Sequence, residues 1–132
     1  MKLKAEKKGD KYVLNGNKMW ITNGPDAHTF VIYAKTDVSA GPKGITAFIV
    51  ERDFPGFSRA QKLDKLGMRC SDTAQIFFDN VRVPAGNLIG QQGWGFFYQM
   101  LQFQEERLWG AANMIRGLEN AVSETIEYTR GR

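Results

Sequence analysis

The stretch "LKAEKKGDKYVLNGNKMWIT", Leu3–Thr22, decides the fold class of the chain. It alternates short runs of β-formers with two turn signals, one at Lys8-Gly9-Asp10 and one at Asn15-Gly16. Asn-Gly flanked by β-formers is the strongest short-range hairpin signal, because both residues tolerate the positive φ that a tight hairpin turn requires. A second Asn-Gly pair follows at Asn23-Gly24, so "NGNKMWITNG" reads as a short aromatic strand between two turns. Outward from it, "HTFVIYAKT" (His28–Thr36) and "KGITAFIVE" (Lys43–Glu51) are rich in Val, Ile, Phe, Tyr and Thr, and "DVSAGP" separates them. A Pro55-Gly56 turn precedes "FSRAQKL" (Phe57–Leu63), and "TAQIFFDNVRVP" (Thr73–Pro84) supplies the last extended run. About six or seven short strands at this spacing predict a small antiparallel β-barrel or sandwich.

The pattern changes after "AGNLIGQQGWG" (Ala85–Gly95), whose glycines end the β region. From Phe96 to about Thr129 there is no proline, and apolar residues recur at Phe97, Leu101, Leu108, Ala112, Ile115, Leu118, Val122 and Ile126. That is helical periodicity over about nine turns, a helix near 50 Å long at 1.5 Å per residue. The fold class is therefore α+β, a β domain over residues 1–87 followed by a linker and one long α-helix over 88–132. Such a stripe cannot be buried against a small β domain alone and calls for partner helices.

At about 100° per residue, Gln99, Gln102, Glu106, Gly110, Asn113 and Gly117 fall on one line of the helix. Glycine inside a helix costs roughly 1 kcal/mol relative to alanine. Its use twice on the face carrying Glu106 suggests the close approach of another backbone or a ligand. The bland alternative makes Glu106 and Arg107 ordinary exposed charges.

The chain has 132 residues, 42% of them hydrophobic and 24% charged, which is about one domain of ordinary globular composition. No apolar run is long enough to span a bilayer. The net charge is +4, and much of the excess sits in "KLKAEKK" (Lys2–Lys8) and in Lys62, Lys65, Arg69 and Arg82, away from any single helix face. A nucleic-acid footprint needs clustering. An anionic, phosphate-bearing small molecule suits a scattered basic surface at least as well. The one cysteine, Cys70, allows no intrachain disulfide and offers no metal-ligand pair, which points to a reducing compartment. It reads as a buried or half-buried free thiol. His28 is also alone and reads as a loop or strand-edge residue, so no metal site is expected. Neither a secretory h-region nor an Arg/Ser-rich presequence is visible.

The segments "KAEKKGDKYVLNGNKMWITNG", "GITAFIVE", "PGFS", "KLDKLGMRCSDT", "FDNVRVP" and "LIGQQGWGF" occur in an order that resembles the acyl-CoA dehydrogenase family of flavoproteins. The first half is most similar to isovaleryl-CoA dehydrogenases, and "FQEERL" (Phe103–Leu108) to long-chain and bacterial branched-chain members. The resemblance implies a middle β domain joined to the first helix of a C-terminal helical domain. It implies FAD-dependent α,β-dehydrogenation of an acyl-CoA, in fatty-acid β-oxidation or branched-chain amino-acid catabolism, with electrons passed to electron-transfer flavoprotein. A homotetramer, in the mitochondrial matrix of a eukaryote or the cytoplasm of a bacterium, is implied with it.

Site residues follow from the same resemblance. Trp20 would pack on the flavin ring, Thr22 would hydrogen-bond near its reactive nitrogen, and the Ile21 backbone would contribute. Read without it, Trp20 is a core aromatic. Isovaleryl and long-chain members carry their catalytic base as a Glu just before an Arg on the first C-terminal-domain helix, a position matched by Glu106, with Arg107 near the CoA moiety. Phe103 and Gln104 would line the substrate, although Gln104 stands where several relatives carry Asp. Arg69 and Ser71 would approach the nucleotide end of CoA; a plain loop cap by Ser71 or Asp72 is the alternative. A different reading of the whole chain is a non-catalytic β-domain module that binds CoA or flavin weakly or not at all.

Overall fold

The computed structural model describes residues 2–59 and 62–132. It divides into two compact units, Met1–Phe96 and Phe97–Arg132.

Among the described residues the first unit is one seven-stranded sheet, made of β1 (Lys4–Lys8), β2 (Lys11–Thr22), β3 (Thr29–Lys35), β4 (Ile45–Glu51), β5 (Phe57–Arg59), β6 (Thr73–Pro84) and β7 (Leu88–Ile89). The order is β5-β6-β2-β1-β3-β4-β7. The β1–β3 pair is parallel and the others antiparallel, so the sheet is mixed rather than purely antiparallel. Alternation along the strands sends Leu14, Ile32, Phe48, Ile76, Val81 and Val83 to one buried face. Phe57 of β5 packs on Phe30 of β3 with ring centroids 5.1 Å apart. Those strands stand four places apart in the sheet, which in a flat sheet would separate them by about 19 Å. The sheet therefore curls around its core, as a small barrel does.

Asn15-Gly16 corrects the expectation of a hairpin turn, since β2 runs through it unbroken from Lys11 to Thr22. The pairing of β2 with β6 shifts register between Leu14 and Gly16, leaving an extra residue on β6. Asn80, at φ 52, sits in that bulge. The Asn15 carboxamide oxygen accepts the Asn80 backbone N–H at 2.8 Å, replacing a lost ladder bond. Gly16 takes φ 133, and a Cβ there would lie 3.1 Å from the Leu3 Cα. The residues that favour a tight turn equally favour a bulge, and a partner strand on each edge of β2 selects the bulge. Asn23-Gly24 does turn the chain, with the Gly24 N–H donating to the Ile21 carbonyl at 3.1 Å.

The extended run expected over Phe57–Leu63 is shorter in the structure. β5 ends at Arg59, Ala60 and Gln61 lie outside the described residues, and Lys62 and Leu63 are not strand.

The second unit is almost all of α1, Gly95–Arg130, 36 residues long. Its start is set by the linker. The Gly93 N–H donates to Thr46 Oγ1 at 2.9 Å, and Gly95 lies so close to the β4 backbone that a Cβ would come 2.9 Å from the Thr46 carbonyl carbon. From Leu101 onward the apolar stripe is exposed, with Leu108 at 74% and Leu118 at 65% of full accessibility.

Candidate functional site

In the first unit the sequence-derived site residues gather where β2 ends. Register shifts a second time between Lys18 and Ile21, here with the extra residue on β2. Trp20 occupies this bulge at φ 63 and is 66% exposed, so it is not a core aromatic. A non-glycine side chain in the left-handed region costs roughly 1–2 kcal/mol. Pairing on both sides, Lys18 with Ile76 and Ile21 with Ala74, enforces it. The result is an indole presented outward next to an exposed Thr22, with Ile21 half-buried between them.

Lys18 was not singled out from the sequence. It shares the core-facing side of the sheet with buried Ile76, its register partner, and burial pushes its ammonium below the ordinary lysine range. Its two-residue spacing from Gly16 was the available signal.

The 62–72 loop is braced against this strand end. Asn23 N–H donates to the Asp72 carbonyl at 2.8 Å, and Leu63 N–H to the Thr73 carbonyl at 2.8 Å. Lys65 Nζ donates to the Ser71 carbonyl at 2.5 Å and to Thr73 Oγ1 at 2.9 Å. Lys62 pairs with Asp72, and Arg59 donates to the Pro25 carbonyl. The hydrogen bond from Lys62 holds the Asp72 carboxyl below the usual carboxylate range, and the same contact raises the Lys62 ammonium.

Within the loop, Arg69 is exposed, with Nη2 3.2 Å from Asp64 Oδ1 and Nε donating to the Lys65 carbonyl at 3.0 Å. Part of its guanidinium is thus engaged locally. Ser71 is half-buried, and its N–H donates to the Met68 carbonyl at 3.1 Å. Asp72 acts as the partner of Lys62 rather than as a plain loop cap. Cys70, in a turn of the loop, is exposed, correcting the expectation of a buried or half-buried thiol.

In the second unit, Phe103, Gln104, Glu106 and Arg107 fall within about one turn of α1. Glu106 is exposed, and its Oε1 accepts from Gln102 Nε2 at 2.7 Å, the (i, i+4) contact that orients a carboxylate along a helix face. The Arg107 guanidinium lies 6.0 Å from the centroid of the half-buried Phe103 ring. Gln104 is exposed. Cβ atoms built at Gly110 and Gly117 would meet nothing within 4 Å, so the surface above these glycines is open.

The first unit thus presents an outward aromatic next to an exposed threonine, and the second, by itself, an exposed carboxylate next to an arginine. Residues 1–81 match the family model for the acyl-CoA dehydrogenase middle domain. The chain belongs to the acyl-CoA dehydrogenase family.

Among curated acyl-CoA dehydrogenases, the mitochondrial isovaleryl-CoA dehydrogenase of Oryza sativa subsp. japonica is 54% identical over 132 residues, 100% of this chain and 32% of that protein. The mitochondrial short/branched chain specific acyl-CoA dehydrogenase of Bos taurus is 42% identical over 100% of the chain and 31% of its own length. The chain thus spans about a third of the curated relatives it matches. Of solved structures, acyl-CoA dehydrogenase from Geobacillus kaustophilus superposes with a TM-score of 0.79 at 47% identity, over 82% of this chain and 29% of that one. Butyryl-CoA dehydrogenase from Megasphaera elsdenii gives 0.74 at 44% identity, over 76% and 26%. A chain from a study of the electron transferring flavoprotein of Acidaminococcus fermentans gives 0.74 at 47% identity, over 76% and 26%.

Proposed function

We propose that residues 1–87 are the middle β domain, and 88–132 the linker and first C-terminal-domain helix, of an acyl-CoA dehydrogenase that converts a branched or medium-to-long acyl-CoA to its trans-2-enoyl-CoA. The observation that carries this reading is Trp20, held outward in a left-handed bulge beside exposed Thr22. An exposed indole and a neighbouring hydroxyl fit one wall of an isoalloxazine site, since a flat ring needs a flat apolar neighbour and a polar anchor at its edge. FAD, when bound there, supplies the acceptor for the hydride lost from Cβ.

The chain's own residues supply orientation and a base. Trp20 shields the wall from water, while Thr22 and the Ile21 backbone offer hydrogen bonds. Glu106 takes the α-proton onto its carboxylate as the Cα–H bond breaks. Arg107 lies near the CoA moiety, a guanidinium being suited to phosphate and carbonyl oxygens, and Phe103 and Gln104 line the substrate beside it. Arg69 and Ser71 receive the nucleotide end of CoA. Electrons leave to electron-transfer flavoprotein, and the exposed stripe of α1 fits assembly through helices into a homotetramer. The Oryza, Bos and Pongo relatives are named mitochondrial, which supports the matrix for a eukaryotic source. A bacterial source would place it in the cytoplasm.

The test is to titrate FAD into the chain, desalt it and record the visible spectrum, with tryptophan fluorescence in parallel. A retained flavin band with a shifted maximum, and quenching that is lost in Trp20→Leu, is expected. Quenching equal in the chain and in Trp20→Leu would overturn the flavin wall.

A further inference from the structure

The outer face of the sheet gathers cations that are far apart in the sequence. Lys4, Glu6 and Lys8 of β1, Lys11 and Val13 of β2, Lys35 of β3 and Arg82 of β6 all point away from the core, because Ala5, Tyr12, Leu14, Ala34, Val81 and Val83 between them point inward. Lys8 is in register with Lys11, Lys4 with Lys35, and Arg82 stands opposite Val13. Among the described residues the one ion pair on this face joins Lys8 to Glu6 at 3.3 Å. Like charges directly opposite each other on neighbouring strands are destabilising. Two such juxtapositions, with Glu6 the carboxylate between Lys4 and Lys8, Asp10 in the adjoining turn and Glu51 at the far end of β4, leave an excess of positive charge that an external anion can relieve.

We propose that this outer face, Lys4, Lys8, Lys11, Lys35 and Arg82, docks the protein peripherally on an anionic phospholipid surface. Charge complementarity identifies the partner. Four of the five cations are lysines, compact point charges suited to a diffuse anionic surface, whereas protein interfaces favour Arg and deplete Lys. The aromatic on the same side of β3 as Lys35, Tyr33, is half-buried, which does not make the row of exposed rings that stacks nucleobases. Lys4 and Lys8 on β1 stand between Lys11 on β2 and Lys35 on β3, so four of the cations lie on three adjacent strands where their long side chains can reach one plane, with Arg82 further round the curl at its edge. No helix among the described residues is long and apolar enough to cross a membrane, so attachment would be at the surface. Lys11 and Trp20 lie on the same strand, roughly 30 Å apart at 3.3 Å per residue, so docking leaves the Trp20 wall clear.

Co-sedimentation of the 132-residue chain with phosphatidylcholine vesicles, with and without phosphatidylglycerol, tests this. Binding to the anionic vesicles alone, weakened by added salt, is expected. Replacing Lys4, Lys11 and Lys35 together by Gln should weaken it on the order of 100-fold, about fivefold per lysine. The melting temperature of that variant should not fall, because opposed like charges are removed. Equal binding to neutral vesicles, or binding unchanged in the variant, would assign adhesion to the apolar stripe of α1 and overturn the proposal. Capture by polyglutamate or single-stranded RNA with no vesicle binding would overturn it in favour of an acidic protein or a nucleic acid.

Discussion

Lys62 and Asp72 pair across the neck of the 62–72 loop, closing it beneath the strand end that carries Trp20 and Thr22. Both side chains keep solvent access, so the pair makes a small, screened contribution. Its pH dependence is nonetheless defined. The folded pKa of Asp72 is depressed, so its contribution is present above the unfolded value of about 3.9 and is lost as pH falls through the folded one. The folded pKa of Lys62 is raised, so its contribution is present below about 10.4 and is lost as pH rises through its folded value. Melting temperatures of the chain and of Asp72→Asn should therefore differ at neutral pH and converge at the acid end. A gap that is constant down to strongly acidic pH would show that the pair is not its source.

Trp20 combines left-handed backbone strain with high exposure. Replacement by glycine removes the strain and little burial, while adding unfolded-chain entropy. Trp20→Gly should change unfolding free energy by less than about 1 kcal/mol, these effects offsetting each other. Leu14→Ala, in the core, should cost about 2–5 kcal/mol. Denaturant melts with FAD-retention assays check the separation, since Trp20→Gly is expected to lose flavin and keep its fold.

Glu106→Gln preserves shape and an oxygen able to accept from Gln102. In a turnover-competent protein carrying this chain, the substitution should lower kcat by about 10²–10⁴-fold, the usual contribution of a general base. KM and the flavin spectrum should change little. Near-normal turnover would remove Glu106 from the mechanism.

Gly110 and Gly117 sit under open space. Gly110→Ala and Gly117→Ala should each stabilise α1 by about 1 kcal/mol in the 132-residue chain, measured by far-ultraviolet circular dichroism during melting. The same changes in a protein with the remaining helices and substrate should lose that gain if a backbone or ligand packs on this face.

Local chemistry made part of this protein legible from its sequence. The division into a β region and a long helix rests on side-chain periodicity and on the absence of proline after Phe96, properties of neighbouring residues that act wherever the chain goes. The turn at Asn23-Gly24 is of the same kind. Trp20 became a flavin-site candidate only through the family resemblance, since read locally it is a core aromatic, whereas Gly110 and Gly117 marked the Glu106 face by local spacing and the resemblance supplied the role of a base.

What tertiary structure decided depends on partners distant in the chain. Asn15-Gly16 has the composition of a hairpin turn, yet Asn80, 65 residues away, supplies the hydrogen bonds that make it a bulge. Pairing with β6 forces Trp20 outward. The local partners of Arg69, Asp64 and the Lys65 carbonyl, are likewise set by how the 62–72 loop folds back on itself. The basic residues that look scattered along the sequence share one face because the strand order sets β1 between β2 and β3, and β6 beside β2. Periodicity determines which side of its own strand a residue occupies, but only strand order and register decide which distant residues stand beside it.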